Sequence, residues 1–99
     1  MNLRLTDHAK EQIAVRIGCS ERKMPKLLAK AWRSVEPIQD KELSNVRWYR
    51  ETYGECEYRK LMGMIWVFAA DNLDTECLAV VTVKPPAPVN AFRSKPAQS

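Results

Sequence analysis

The sequence predicts an α+β domain in which two N-terminal helices pack on a three- to four-stranded antiparallel β-meander. Two amphipathic helical patterns occupy the first third of the 99 residues, and three β-type segments joined by short turns follow Gly54. Strands joined by short turns pair antiparallel, and helices that flank such a sheet cover one of its faces. We expect one domain over residues 1–84, followed by a Pro-rich basic tail over residues 85–99.

The first helix is predicted to begin at Thr6, because a threonine hydroxyl can accept a backbone N–H of the first turn. Gly18 is suited to a left-handed residue at the end of the helix. Between them, apolar residues recur every four positions, which is the helical period: Ala9, Ile13 and Ile17.

The second helix has the clearest pattern in the chain and is predicted to run from a Ser20 cap to about Ser34. Pro25 is tolerated in the first turn, where N–H groups lack intrahelical partners. The apolar positions of this helix are Met24, Leu28, Ala31 and Val35. The opposite face carries a stripe of four cations: Arg22, Lys26, Lys30 and Arg33.

The remainder of the domain is predicted to be mainly β-structure. Residues 38–54 have no clean period and fit either a short helix or an edge strand. The segments "ECEYRKL", "MIWVFAA" and "CLAVVTV" then read as three strands, with a tight hairpin at Met62–Gly63. With two helices on one face of this sheet, the other face is expected to stay at least partly open.

Composition and charge exclude several classes of protein. No apolar run reaches the roughly 20 residues needed to cross a bilayer, so we expect no membrane association and a cytoplasmic location. One histidine and three widely spaced cysteines argue against a metal site, and no pattern indicates a cofactor. The net charge of +4 is uneven: residues 1–50 carry 11 Lys/Arg and 6 Asp/Glu, whereas residues 51–83 carry 2 and 6. A basic half favours a polyanionic partner.

Two stretches of the sequence resemble a known family. "LTDHAKEQIAVRIG" resembles the opening of small phage and mobile-element proteins that begin with a Thr/Ser-x-His-Ala-x-Glu-Arg-x-x-x-Arg helix. "YRKLMGMIWVFAADNLDTECLAVVTVKPP" resembles their closing meander. These proteins are in turn distantly similar to the RelE-type toxins, within the barnase–EndoU–colicin–RelE fold. The resemblance covers about residues 3–86 and implies RNA binding or metal-independent RNA cleavage in a bacterial host. Gln12 stands where the family usually has arginine.

Metal-independent RNA cleavage needs an acid, a base and cations beside the scissile phosphate. His8 has the pKa range for acid or base work, and Arg16 and Arg59 are the candidate phosphate ligands. His8, Gln12 and Arg16 lie one turn apart along one edge of the first helix. Lys60 is an alternative to Arg59, because adjacent strand residues point to opposite faces, and Tyr49 or Thr82 offers a hydroxyl to the phosphate.

Two further segments are candidates for binding nucleic acid or a protein partner. The cation stripe of the second helix can follow a phosphate backbone; the alternative is a solvated surface. "VRWYRETY" alternates aromatic and basic residues, a composition suited to stacking on unpaired bases, to a protein-binding hot spot or, for Trp48, to the core. The residues concerned are Arg47, Trp48, Tyr49 and Arg50.

The sequence therefore supports two hypotheses of function. The first is a small RNA-binding protein, with an endoribonuclease of the RelE-like toxin type as its catalytic form and an antitoxin or a second copy of the chain as partner. The second is a phage-encoded, non-enzymatic inhibitor, such as an anti-CRISPR or other counter-defence protein. It would bind a host nucleoprotein complex through the basic helix, the aromatic segment and the tail.

Overall fold

A computed structural model describes residues 2–71 and 76–87. The described chain contains three α-helices and four strands. The helices are α1 (Asp7–Arg16), α2 (Met24–Trp32) and α3 (Val46–Tyr53); the strands are β1 (Asn2–Leu5), β2 (Cys56–Leu61), β3 (Met64–Ala70) and β4 (Cys77–Lys84). None of these helices is both long and apolar enough to cross a membrane.

The sheet is mixed, which corrects the expected purely antiparallel meander. Its strand order is β1-β4-β3-β2, and β1 pairs parallel with β4, in register from Asn2–Cys77 to Leu5–Val80. The α+β class is correct, but the chain starts with a strand that the sequence analysis missed. Leu5 is buried in the core, and its burial holds β1 against the edge that β4 would otherwise expose.

The remaining three strands form the predicted meander. β2 pairs antiparallel with β3, and β3 with β4. The predicted hairpin at Met62–Gly63 is confirmed, since both residues have positive φ (55° and 75°), as a two-residue type I′ turn requires. Opposite Val67 and Phe68 the register skips one residue of β4, so Val81 forms a β-bulge.

The predicted start of α1 is confirmed: the Thr6 hydroxyl accepts the Ala9 N–H at 3.1 Å. The start and end predicted for α2 are wrong. Ser20 precedes a short 3₁₀ turn, Glu21–Lys23, and its hydroxyl makes no cap hydrogen bond. The α-helix begins with Met24 and Pro25, because the proline needs a position without an N–H partner. It ends at Trp32, which leaves Val35 94% exposed rather than in the apolar face.

The segment left undecided by its sequence contains α3, which packs on the face of the sheet opposite α1 and α2. α1 and α2 enclose the larger core around Trp66 and Phe68. On the other face Tyr49 of α3 packs with Ile65 and Val67. The sheet is therefore covered in part on both faces, which corrects the expectation of two helices on one face only.

Only the start of the predicted tail falls within the described chain. The Ala87 N–H donates to the Glu42 carbonyl at 2.8 Å, beside the 3₁₀ turn Asp40–Glu42. The prediction of a Pro-rich basic tail otherwise concerns residues 88–99, which lie outside the described residues.

Candidate functional site

The C-terminal half of β4 has no strand beside it on the α1 side. β1 pairs with β4 only as far as Val80, so the backbone from Val81 to Lys84 needs other hydrogen-bond partners on that edge. Side chains of α1 supply partners to Val83, and just before this segment the Thr6 hydroxyl donates to the Val80 carbonyl at 2.8 Å. This arrangement, the β4 edge cluster, consists of Thr6, Gln12, Arg16, Tyr49 and Thr82.

Gln12 and Arg16 are fixed to this edge by hydrogen bonds to β4. The Gln12 Oε1 atom accepts from the Val83 N–H and from the Thr82 hydroxyl, both at 2.7 Å. One Arg16 nitrogen donates to the Val83 carbonyl at 2.7 Å.

Tyr49 completes the β4 edge cluster from the α3 side of the sheet, and Lys84 lies beside it. Burial raises the pKa of the Tyr49 hydroxyl, while the neighbouring Thr82 and Arg16 act in the opposite direction. Burial lowers the pKa of Lys84. The Lys84 ammonium lies 4.5 Å from the Tyr49 ring centre and donates to the Ser44 carbonyl at 2.8 Å. Of the two hydroxyl residues predicted from sequence, Thr82 donates to Gln12, and Tyr49 lies close enough to Thr82 and Arg16 for both to affect the pKa of its hydroxyl.

The candidate catalytic residues are not all brought together. His8 is exposed, and its side chain makes no hydrogen bond to the residues that the structure describes. Arg59 lies on β2, at the opposite edge of the sheet from β1 and two strands from β4. Its guanidinium stacks 4.4 Å from the Trp32 ring centre and donates to the Trp32 carbonyl. Arg59 thus holds α2 to β2 and lies away from Arg16.

Lys60 points to the other face of β2, as strand alternation requires, and is engaged in ion pairs. Its ammonium lies 2.6 Å from a Glu42 carboxylate oxygen and 3.7 Å from one of Glu36. Glu42 raises the pKa of Lys60, and Lys60 lowers the pKa of Glu42. Neither Lys60 nor Arg59 is positioned to contact a phosphate held at the β4 edge cluster.

The aromatic segment forms a compact group on α3. Trp48 packs edge-on against Tyr49 and Tyr53, with ring centres 5.2 and 6.0 Å apart. Tyr49 is core, whereas 54% of the Trp48 surface is exposed. Arg47 pairs with Glu51 at 3.0 Å, and Arg50 is exposed. α3 therefore presents one accessible indole.

The basic residues around α2 cluster at one helix, unlike Lys41 and Arg50, the other exposed cations for which the described residues offer no partner. Five exposed cations make no hydrogen bond or ion pair through their side chains to any residue within 2–71 and 76–87. We call them the α2 basic face: Arg22, Lys23, Lys26, Lys30 and Arg33. Glu21, the nearest acid along the chain, instead pairs with Lys10 of α1. Four of the five form the cation stripe predicted from sequence, and the structure adds Lys23, which lies seven residues before Lys30.

Three of these cations border a shallow groove of about 350 Å³, which we call the α2 groove. Lys23, Lys26 and Lys30 form its rim, and Cys19 and Leu27 complete the lining. Among the residues that the structure describes, neither a carboxylate nor an aromatic ring lines the groove. Each lysine ammonium offers three hydrogen-bond donors and no acceptor, so the groove is suited to an anion.

The candidate catalytic residues lie on two separate elements of the described chain, α1 and β2. The one histidine has no cation of β2 beside it, and no group of His, Cys, Asp and Glu side chains in the described ranges could hold a metal ion.

No family model matches the sequence, and neither a curated protein nor a solved structure matches it.

Proposed function

We propose that the protein is a non-catalytic RNA-binding protein that contacts phosphates through the α2 basic face. The observation that carries the proposal is the cluster of five exposed cations without an acidic partner among the described residues. Elsewhere in the described chain, Arg4, Lys10, Arg47, Arg59 and Lys60 form ion pairs.

The position of these cations on α2 supports a role in binding. The helix dipole places partial positive charge at the N-terminus, where acidic side chains are stabilising. α2 has no acidic residue in its first turn, and Lys23 and Lys26 occupy the cap and the third helical position. Residues that oppose a local preference of the fold are expected at functional sites.

Binding of labelled mixed-sequence RNA, measured by fluorescence anisotropy at several salt concentrations, tests the proposal. The unmutated protein should bind, and its affinity should fall steeply with salt because counterions are released from the phosphates. The double variant Lys26→Glu/Lys30→Glu should weaken binding by about tenfold or more.

The matched control is Lys41→Glu/Arg50→Glu, which changes the net charge equally through exposed cations outside α2. It should retain most of the binding. Equal losses in both variants, or no binding by the unmutated protein, would contradict the proposal. Gel analysis should show intact RNA; cleavage that disappears in His8→Ala would replace this function with that of a toxin-type endoribonuclease.

The second candidate is a non-enzymatic inhibitor of a nucleoprotein complex, and the exposed indole of α3 supports it. Trp48 beside Arg47 and Arg50 has the composition of a protein-binding hot spot, on the face of the sheet opposite α2. In this case Trp48→Ala should abolish capture of a bacterial protein from nuclease-treated lysate, and RNA binding by α2 should be unaffected.

A further inference from the structure

The α2 groove carries an inference about the form of the RNA, and this inference rests on the proposed function. A nucleic acid can be recognised through its phosphates, through the edges of its bases or by stacking on its bases. The side chains available at a surface decide which of the three is used.

The α2 groove has no platform on which an unpaired base could stack. Single-strand binders combine a basic groove with aromatic side chains on which successive bases stack. The lining of this groove is Cys19, Leu27 and three lysines. Within residues 2–71 and 76–87, the exposed aromatic residues are Trp48 and Tyr53, and both belong to α3 on the opposite side of the sheet. Trp32, at the end of α2, is covered by the Arg59 guanidinium and packs edge-on against Phe68.

The α2 groove also lacks hydrogen-bond acceptors in its charged side chains, so it cannot read the amino groups of bases there. A lysine ammonium contacts a phosphate as a point charge and imposes little geometric selection. Leu27 is half-buried between the lysines, and a leucine contributes no polar group. The groove is therefore suited to the sugar-phosphate backbone and not to a particular sequence.

The spacing of the cations favours two strands over one. Arg22 and Arg33 are eleven residues apart, so the α2 basic face extends for about 16 Å at the rise of an α-helix. A duplex presents about twice the backbone charge per unit length of a single strand. A rigid helix with fixed cations thus finds more phosphates within screening distance on a duplex.

We propose that the α2 basic face binds double-stranded RNA through its phosphates and without sequence preference. Lys23, Lys26 and Lys30 contact the backbone from the rim of the α2 groove, and Arg22 and Arg33 extend the contact at either end. Single-stranded RNA, which this surface cannot hold by stacking, is the weaker ligand.

The test compares four ligands by fluorescence anisotropy with the full chain. They are a short blunt-ended RNA duplex, a duplex of shuffled sequence, one unstructured strand of the first duplex, and a DNA duplex of the same sequence. The first RNA duplex should bind about tenfold more tightly than its single strand. The affinity for the shuffled duplex should be within about threefold of the affinity for the first duplex.

The salt dependence locates the contact. The single variants Lys23→Gln, Lys26→Gln and Lys30→Gln should each reduce the slope of log affinity against log salt by about 1. Lys41→Gln removes an exposed cation outside the face and should leave the slope unchanged. Circular dichroism of each variant monitors the fold.

The outcomes separate this inference from the proposed function. If none of the RNA ligands binds, both the proposed function and this inference are wrong. Binding of the single strand as tightly as the duplex, or a strong difference between the two RNA duplexes, removes the inference and leaves RNA binding intact. Tighter binding to the DNA duplex than to the RNA duplex also overturns the inference. So does a salt slope that falls as much in Lys41→Gln as in the three variants of the α2 groove.

Discussion

At the scale of single residues, Gln12 shows how one side chain changes the character of a site. The resembling family usually has arginine at this position. A guanidinium has donors only, so it could not accept the Val83 N–H and the Thr82 hydroxyl that Gln12 accepts. Glutamine at this turn of α1 thus satisfies hydrogen-bond donors along the unpaired edge of β4. Gln12 stands at the position where the resembling family usually has arginine, and its contacts are those of a structural residue.

We expect Gln12→Ala to lower the free energy of unfolding by about 1–3 kcal/mol, because two part-buried donors lose their acceptor. Urea denaturation followed by circular dichroism measures this change. Gln12→Glu keeps an acceptor oxygen at the same distance and should lose less. Glu11→Ala, an exposed neighbour on α1, should stay within about 0.5 kcal/mol of the unmutated protein. Equal stability of Gln12→Ala and Glu11→Ala would contradict this role of Gln12.

Part of the β4 edge cluster could be predicted from sequence. The helical period places His8, Gln12 and Arg16 along one edge of α1, and Tyr49 and Thr82 were named as hydroxyl partners. The hydrogen bonds to Val83 were not predictable, because they depend on where β1 ends beside β4. No local pattern near Gln12 encodes that position.

At the scale of elements, the predictions succeeded where the signal is local. The meander follows from alternation, β-branched residues and the Met62–Gly63 turn. β1 is four residues long and pairs with a strand more than 70 residues later, so its neighbours in sequence give no indication of its partner. α3 was undecided because its anchor, Tyr49, is followed by exposed polar residues, and its helical period shows only once its packing on Val67 is known.

The ion pair between Lys60 and Glu42 connects β2 to the 3₁₀ turn before α3 and should make stability depend on pH. Lys60 lowers the pKa of Glu42 below its ordinary value of 4.5. A carboxyl with a depressed pKa in the folded state stabilises the fold above its unfolded pKa, and this contribution is lost as the pH falls through the folded pKa. Between about pH 5 and pH 3, the melting temperature should therefore fall more steeply for the unmutated protein than for Glu42→Gln.

Glu42→Gln is a suitable comparison because it removes the charge and keeps an acceptor for the Gln39 N–H, which donates to Glu42 at 3.0 Å. Glu57→Gln, at the more exposed pair with Arg59, controls for the loss of one carboxylate. Parallel pH profiles for the unmutated protein and Glu42→Gln would show that the pair contributes nothing to acid stability.

At the scale of the whole molecule, the clustered positive charge of α2 lowers the stability of the fold and favours the proposed binding of RNA. The charged side chains of β1 and β2 are in ion pairs, whereas those of the α2 basic face are placed about one turn apart with like sign. Lys26 lies four residues from both Arg22 and Lys30, and like charges at this spacing destabilise a helix.

We therefore expect Lys26→Glu to stabilise the protein while it weakens RNA binding. The substitution converts two repulsive neighbours into attractive ones and places an acid in the first turn of α2. The gain should be about 0.5–1 kcal/mol at low ionic strength and should largely disappear near 1 M salt, where the screening length is about 3 Å. Thermal melts at both salt concentrations measure it. Lys26→Gln should give a smaller gain, and a gain that is independent of salt would exclude this explanation.

The parallel pairing of β1 with β4 has a consequence for how the protein folds. β4 follows its partner β1 by more than 70 residues, so β1 cannot join the sheet until β4 has left the ribosome. The same holds for Gln12 and Arg16, whose partners on Val83 do not exist before then. Non-local pairing of this kind carries a large loop-closure entropy and slows folding. We expect the β2–β3–β4 meander to form first and the N-terminal strand to dock as the late, rate-limiting step.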